Sequence, residues 1–209
     1  MVQIVLTAIA KQREQANGQT AMMAEENQGI VRKSLRVREQ SHRTLDQRLA
    51  LRFPPLADAS ARLFGKLPPA SRIRQALLSR TVRLNAEAFN RRDFRALLLS
   101  YHPQAGFRAP RVLAESNILR TSYRGYEGFV EFFCEWLSAW GDYRMRPSEV
   151  IDLGDRIVIF DEIVGRGATS GAPHIQDHAL VLFLKDGRVI VSQEYFDPAE
   201  ALEAAGLRE

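Results

Sequence analysis

The chain of 209 residues has only one cysteine, Cys134, so it cannot form an internal disulfide. Cys134 follows the aromatic segment "FVEFF" at 129–133, which predicts an apolar helix and a buried, inert thiol. A chain without a disulfide framework suits a reducing compartment. We therefore expect a cytoplasmic protein.

Long hydrophobic runs are also missing, since no apolar stretch approaches the ~20 residues needed to cross a bilayer. The start, "MVQIVLTAIAKQREQ", has no basic residue before its apolar part and no small-residue cleavage pattern after it, so we predict no secretion signal and no membrane partner. The glycine fingerprints G-x-G-x-x-G and G-x-x-x-x-G-K-S/T are absent as well. We predict no cofactor.

Positive charge is concentrated in the first third of the chain. Residues 1–70 hold 11 Lys/Arg against 6 Asp/Glu, a balance of +5, whereas residues 71–209 hold 18 against 19, a balance of −1. Nucleic-acid binding would call for aromatic residues among the basic ones or for a known motif, and neither is present. The basic segment is best interpreted as a solvated helical face, and we predict no nucleic-acid partner.

The first 70 residues are interpreted as an extension. Residues 24–50 have acidic residues early, basic residues later and no proline, a pattern that favours a helix. Proline pairs at 54–55 and 68–69 bracket a further short helix. Because Met22-Met23 precedes the acidic start, we predict that residues 1–21 are disordered or arise from an alternative start codon, and that residues 22–70 form a helical extension.

From Ser71 onward the pattern changes from helices to strands. Three helical segments, "SRIRQALLSRTVRLNAEAFNRRD", "FRALLLSYH" and "YEGFVEFFCEWLSAW", precede four strand-like segments joined by glycine-containing turns. Helices followed by an antiparallel meander predict an α+β fold with the helices on one face of the sheet.

The order and spacing of several segments in residues 71–209 resemble the SnoaL-like branch of the nuclear transport factor 2-like superfamily. These segments are "AEAFNRRDFRALLLSYHPQAGFRAP", "GYEGFVEFFCEWLSAW", "VIDLGDRIVIF", "GRGATSG" and "LKDGRVIVSQEYFDPAEALEAAGL". The resemblance implies a cone-shaped barrel, in which a strongly curved antiparallel sheet is closed by three N-terminal helices around a pocket. It also implies a frequent dimer through the outer sheet face. Members include ketosteroid isomerases, cyclases, dehydratases and non-catalytic binding or scaffold proteins.

The catalytic positions of the steroid isomerases can be located by this resemblance. Their tyrosine falls on Asn85, their general base on Ala109 and their second acid on Ala179. All three residues differ in chemistry from those of the isomerases. We therefore predict that these positions line the pocket but that the known ketosteroid isomerase mechanism does not operate.

The segment "HIQDHALVLFL" carries three polar residues that could form a site: His174, Asp177 and His178. On a strand the two histidines share a face but lie ~13 Å apart, too far to ligate one metal. The neighbouring strand offers only Asp161 and Glu162, so we predict no metal site. Asp177 points to the opposite face, which excludes a direct Asp177–His178 dyad.

Both faces of this strand are mostly apolar, which is typical of a strand buried on both sides. One face would line the pocket and the other would meet a partner subunit, so we predict a homodimer through the outer sheet face. The register of the resemblance makes the face of Asp177 and Ala179 the pocket face.

The same register aims Asp177 and Glu194 into the pocket as acid–base candidates, with His102 as a further candidate. Its other predicted lining residues are Tyr101, Phe133, Trp136, Ser192 and Phe196. Two carboxylates in an apolar cavity can shift one pKa toward neutrality. This predicts cofactor-independent acid–base catalysis, of the isomerase, cyclase or dehydratase type, on a small apolar carbonyl compound.

The two carboxylates could instead have structural roles, and the chain could have a non-catalytic function. Asp177 could accept hydrogen bonds at a strand end, and Glu194 could pair with Arg108 or Arg124. The chain could then be a non-catalytic ligand-binding protein or a dimeric scaffold.

Overall fold

The computed structural model describes residues 31–35, 42–138 and 140–207. Its strands are β1 (Val31–Ser34), β2 (Tyr101–Arg108), β3 (Ser122–Arg124), β4 (Trp140–Asp152), β5 (Arg156–Gly167), β6 (Pro173–Lys185) and β7 (Arg188–Tyr195). Its α-helices are α1 (Leu45–Arg52), α2 (Pro54–Lys66), α3 (Arg72–Asn90), α4 (Phe94–Leu97), α5 (Arg111–Glu115), α6 (Gly125–Leu137) and α7 (Pro198–Ala204). A 3₁₀ turn, Leu98–Ser100, follows α4.

The described strands form one seven-stranded sheet in the order β1-β4-β5-β6-β7-β2-β3. Every neighbouring pair is antiparallel except β2 and β7, which run parallel. Register shifts in the β4–β5, β6–β7 and β2–β7 pairs let the sheet curve. The predicted α+β class is confirmed, with an open sheet whose edge strands are β1 and β3.

Local sequence signals fix where the helices begin. The side chains of Ser71, Asp93 and Asp197 accept backbone N–H groups at the starts of α3, α4 and α7. Proline occupies the first position of α2 and of α7, where the missing N–H costs nothing.

The β6–β7 hairpin turn joins the sheet to the preceding helices. Asp186 and Gly187 both have positive φ, of 50° and 75°, as expected for a tight two-residue hairpin. A Cβ atom on Gly187 would collide with the carbonyl oxygen of Ala61, so α2 packs directly against this turn.

Apolar side chains form two clusters on opposite faces of the sheet. The larger cluster lies between α3, α6 and the inner face of the sheet, and it contains most of the aromatic residues. The smaller cluster lies on the outer face, where α7 covers β5 and β6. Its buried members are Ile151, Val158, Ala179, Val181, Ala201 and Ala205.

The predicted helix over residues 24–50 is wrong for residues 31–35 and is confirmed only from Leu45 onward. Val31–Ser34 is a strand, and helix α1 begins only at Leu45. The strand pairs with β4, from Val31 opposite Asp152 to Ser34 opposite Glu149, so backbone hydrogen bonds to an otherwise open edge outweigh local helix preference. The predictions for residues 1–21, including the Met22-Met23 start signal, lie outside the described residues.

Cys134 lies on the predicted helix, but its side chain is exposed, so the prediction of a buried thiol is wrong. Among the described helices, none is long and apolar enough to cross a membrane.

Candidate functional site

A partly open cavity of about 60 Å³ lies between the helices and the inner face of the sheet, and we call it the inner cavity. Helices α3, α4 and α6 supply its helical wall, and strands β2, β4, β5, β6 and β7 supply the other. Its lining comprises Val82, Asn85, Ala86, Phe89, Leu97, Tyr101, Phe107, Phe129, Phe133, Tyr143, Met145, Pro147, Ile159, Asp161, His178, Leu180, Leu182, Ser192 and Glu194.

Most of this lining is aromatic or aliphatic. The rings of Phe129 and Phe133 lie 4.5 Å apart between centroids, Phe89 and Phe133 lie 5.0 Å apart, and Phe89 meets Tyr143 edge to face at 5.7 Å. These are favourable aromatic geometries, and the rings are almost fully buried. Apolar side chains solvate charge poorly, so charges beside this wall interact strongly.

The polar part of the inner cavity is formed by three neighbouring strands. Asp161 on β5 lies directly opposite His178 on β6, and Glu194 on β7 lies opposite Leu180, one diagonal step from His178. Cross-strand and diagonal neighbours on one face are within side-chain reach. His178 Nδ1 is 2.8 Å from Asp161 Oδ1, and its Nε2 is 3.6 Å from Glu194 Oε2.

His178 is charged at neutral pH in this setting. Burial alone would lower the pKa of its imidazole, but the charges and hydrogen bonds of Asp161 and Glu194 outweigh burial and raise that pKa to about 10. His178 is 2% exposed and Asp161 is 5% exposed. Both ring nitrogens of His178 therefore carry protons, and Nδ1–H donates to Asp161.

The second proton of His178 is available to a ligand. Within the described part of the chain, His178 Nε2 and Asp161 Oδ2 are buried atoms without a hydrogen-bond partner. The 3.6 Å between Nε2 and Glu194 Oε2 is longer than a hydrogen bond, although it is close enough for ion pairing. A buried donor of this kind gains from an incoming acceptor.

Two phenols complete the polar groups near Glu194. Burial raises the pKa of the Tyr101 phenol to about 12, and the negative charge of Glu194 adds to this rise. A hydrogen bond to Ser192 acts in the opposite direction. Burial and the charge of Glu194 likewise raise the pKa of Tyr143 well above its usual value. Both phenols stay neutral hydrogen-bond donors. On the opposite wall, Asn85 Nδ2 donates to Ser100 Oγ at 2.8 Å.

The structure brings together about half of the site residues proposed from the sequence. Those that line the inner cavity are Asn85, Tyr101, Phe133, Ser192 and Glu194. Trp136, Phe196 and Ala109 are buried in the main core but do not line the cavity. Phe196 stands behind the polar residues, with its ring 6.0 Å from those of His178 and Trp136.

The predicted pocket face of β6 is the wrong face. His178, Leu180 and Leu182 face the inner cavity, whereas Ala179 lies in the outer cluster under α7. Asp177 is exposed and borders an open groove outside the cavity. The outer face is apolar because α7 covers it, so the apolar character of both faces is explained within one chain.

Asp161 and His178 were missed as a pair, although the sequence holds a signal for them. In β5 the inward positions read Ile157, Ile159, Asp161 and Ile163, so one carboxylate interrupts a buried row. At the turn between β5 and β6, Arg166 lies opposite Pro173. Counting along both strands from this pair sets Asp161 opposite His178.

The remaining candidate, His102, does not line the inner cavity. It borders a separate open groove beside α1 and α2. Among the described residues, no group of three or more His, Cys, Asp or Glu side chains is arranged to hold a metal ion.

Comparison with solved structures supports the fold. TerC, crystallised with polyporic acid, superposes with a TM-score of 0.51 at 22% identity, over 59% of this chain and 94% of that one. An NTF2-like protein of unknown function from Burkholderia pseudomallei K96243 gives a TM-score of 0.51 at 24% identity, over 59% and 93%. Identities this low show a shared fold and carry no activity across.

Comparison with curated protein sequences gives no match. The sequence profile of the SnoaL-like domain, in contrast, matches residues 82–191, which is more than half of the chain and includes Asp161 and His178. The matched segment runs from α3 to β7 and contains nearly the whole lining of the inner cavity. The chain therefore belongs to the SnoaL-like domain family.

Proposed function

We propose that the chain binds a small, mostly apolar carbonyl compound in the inner cavity and catalyses proton transfer on it without a cofactor. The reaction would be of the isomerase, cyclase or dehydratase type. The observation that carries this proposal is the protonated His178 beside Glu194, in a cavity whose other walls are largely aromatic.

The roles follow from the positions of the acid–base groups. The substrate carbonyl oxygen accepts the Nε2–H of His178, and Glu194 removes a proton from the carbon next to that carbonyl. The electrons of the broken C–H bond move onto the oxygen, where the imidazolium stabilises the enolate. Glu194 then returns the proton at the same or another carbon.

Asp161 is a positioning residue in this scheme. Its Oδ1 accepts the Nδ1–H of His178 at 2.8 Å, which fixes the ring plane and favours the charged imidazole. The aromatic wall contributes in a different way. It keeps water away from the developing negative charge, which strengthens the interaction with the imidazolium.

Proton exchange tests the proposal without knowledge of the natural substrate. Acetone and 2-butanone, small enough for the inner cavity, are incubated with the protein in D₂O, and deuterium incorporation next to the carbonyl is followed by NMR. We expect Glu194→Gln to lower exchange about 100-fold or more, since a positioned base contributes on that order. His178→Gln should also lower exchange, because its neutral amide stabilises an enolate less.

A matched carboxylate control lies on the neighbouring strand. Asp177→Asn removes an exposed carboxylate that does not line the inner cavity, so exchange should stay within about twofold of the wild type. Loss of exchange in Asp177→Asn but not in Glu194→Gln would overturn the assignment. Saturable binding of both ketones without any exchange would favour the alternative, a non-catalytic ligand-binding protein.

The homodimer and the cytoplasmic location belong to the same proposal. The part of the outer sheet face that α7 leaves open includes Ile175, which is 51% exposed and pairs with Val164 on β5. We expect two such faces to associate. Sedimentation at micromolar concentration should give about twice the 23.7 kDa of one chain, and a single-chain mass would remove the dimer.

The domain division is proposed as well. The SnoaL-like domain would span 71–209 and the extension 22–70. Helices α3, α4 and α6 would be the three helices that close the cone, since each contributes to the wall of the inner cavity.

A further inference from the structure

A second recess, which we call the outer groove, lies on the other side of one wall of the inner cavity. Tyr101 and Phe107 line both spaces, and their stacked rings, with centroids 5.4 Å apart, form the partition between them. The outer groove has a volume of about 330 Å³. This is at the lower end of the size range of small-molecule sites.

The extension builds one side of the outer groove. Ala50 and Leu51 of α1, with Pro54 and Ala57 of α2, face the domain across it. These helices are held in place by specific contacts. Gln47 Nε2 donates to the carbonyl of Leu84 at 3.5 Å.

The contact between α2 and the β6–β7 turn is closer still. Asp58 forms an ion pair with Arg188, and Gly187 leaves just enough room for the backbone of α2 at Ala61. The outer groove is therefore a recess between two docked parts of the chain.

The outer groove is lined by basic side chains and by no carboxylate. Two arginines and a histidine line it, namely Arg95, Arg188 and His102, and none of its lining residues is Asp or Glu. Arg188 is already satisfied, since it pairs with Asp58 and donates to the carbonyl of Tyr101 at 2.9 Å. Arg95 is exposed and has no carboxylate partner among the described residues.

His102 supplies a hydrogen-bond donor at the same rim. Its Nδ1 accepts the backbone N–H of Gln104 at 3.2 Å, so Nε2 carries a ring proton and can donate to a ligand. The rest of the groove is apolar, with Leu51, Leu98, Leu99 and Pro103 beside Phe107. An apolar floor with a cationic rim matches a ligand that has an apolar body and one anionic end.

We propose that the outer groove binds a small amphiphilic anion, an aromatic or aliphatic body with a carboxylate or sulfonate group. The anion pairs with the guanidinium of Arg95 and accepts Nε2–H of His102, while the body lies on Leu51, Leu98 and Leu99. This site uses none of the acid–base groups of the inner cavity, so it stands independently of the proposed reaction.

Two dyes with almost the same ring system test separately whether the groove binds an apolar body and whether it binds an anion. 8-Anilinonaphthalene-1-sulfonate carries an anion, and N-phenyl-1-naphthylamine lacks it. Fluorescence titration of the full chain should give a saturable site that prefers the sulfonate. Arg95→Gln should weaken sulfonate binding about fivefold or more and leave the neutral dye within about twofold. Arg62→Gln, which removes an exposed arginine of α2 that does not line the groove, should change neither.

A large side chain placed in the outer groove shows whether the dyes bind there or on another apolar surface. Ala57→Trp places a large ring inside and should abolish binding of both dyes, whereas Ala59→Trp, at an exposed position of the same helix, should not. Glu194→Gln should leave dye binding unchanged, because Glu194 belongs to the inner cavity. Unchanged binding in Ala57→Trp, or equal affinity of the wild type for both dyes, would overturn the proposal.

Discussion

The inner cavity and the outer groove share a wall but differ in size, charge and origin. The inner cavity, of about 60 Å³, holds Asp161, His178 and Glu194 and no lysine or arginine. The outer groove, of about 330 Å³, holds two arginines and no carboxylate. The first lies almost wholly within the SnoaL-like match, whereas the second exists because α1 and α2 dock beside it.

The difference shows how burial decides what a charged group can do. In the inner cavity, low dielectric surroundings couple His178 to two carboxylates, whose negative charges raise its pKa to about 10 against the effect of burial. In the outer groove, exposed Arg95 interacts with any anion through water, which weakens the attraction but leaves the site open. The first region suits chemistry, and the second suits reversible binding.

The largest expected effect compares the ion pairs of the two regions. Asp161→Ala leaves the buried His178 charge without its closest partner and should lower the free energy of unfolding by about 3–5 kcal/mol. Asp58→Ala breaks the pair with Arg188 beside the outer groove, where Asp58 is 46% exposed, and should cost at most about 1 kcal/mol. Urea unfolding of the two variants measures both values.

Equal losses of unfolding free energy in Asp161→Ala and Asp58→Ala would contradict this prediction. If Asp161→Ala does not fold, Asp161→Asn keeps the shape and one acceptor and should still lose more stability than Asp58→Ala. A loss below 1 kcal/mol for both Asp161 variants would mean that His178 is not held as an imidazolium.

The sequence predicted the class and order of the main elements better than it predicted the site. Helix periodicity, cap residues and turn glycines are local signals, so they predict α3, α6 and the β4–β7 meander correctly. The predicted helix "FRALLLSYH" is wrong at its end, because strand β2 begins at Tyr101 and pairs with β7. The facing of β6 depends on what covers each side. Ala179 and Val181 suited a pocket as well as they suited the underside of α7, and only tertiary packing decides between them.

The site residues also differ in whether the sequence alone could place them. Glu194 lines the inner cavity together with Ser192, two positions earlier on the same face of β7, and the register of the resemblance had given β7 this parity. The pairing of Asp161 with His178 needs the register of the β5–β6 hairpin, which spans a loop whose length the sequence does not determine. The outer groove needs the docking of α1 and α2, which involves contacts far apart in sequence, such as Asp58 with Arg188.

The inner cavity should also make the folded chain less stable at alkaline pH, because His178 loses its proton there. The groups that face His178 are Asp161 on β5, Glu194 on β7 and the ring of Phe196. Its pKa is about 10 in the folded chain against an ordinary value of 6.5. The stabilisation is complete below pH 6.5 and is lost as the pH rises toward 10, by at most about 1.4 kcal/mol per pH unit.

Urea unfolding at pH 6.5, 7.5 and 8.5 measures this slope, and the total loss should reach about 2–3 kcal/mol. In His178→Gln the slope should disappear, because the titrating group is gone. Nitrogen NMR of the imidazole gives an independent reading. A His178 ring that loses its proton near pH 6.5 would contradict the prediction.

The smallest expected effect concerns Tyr101, whose ring forms part of the partition between the inner cavity and the outer groove. The hydroxyl of Tyr101 interacts with Ser192 on the side of the inner cavity, whereas its carbonyl accepts Arg188 and its ring contacts the outer groove. Tyr101→Phe removes only the first contact, so it should cost about 1 kcal/mol of unfolding free energy and lower ketone exchange modestly. Dye binding should stay within about twofold, because the ring and the backbone are unchanged. A large drop in dye affinity would show instead that the two spaces act as one site.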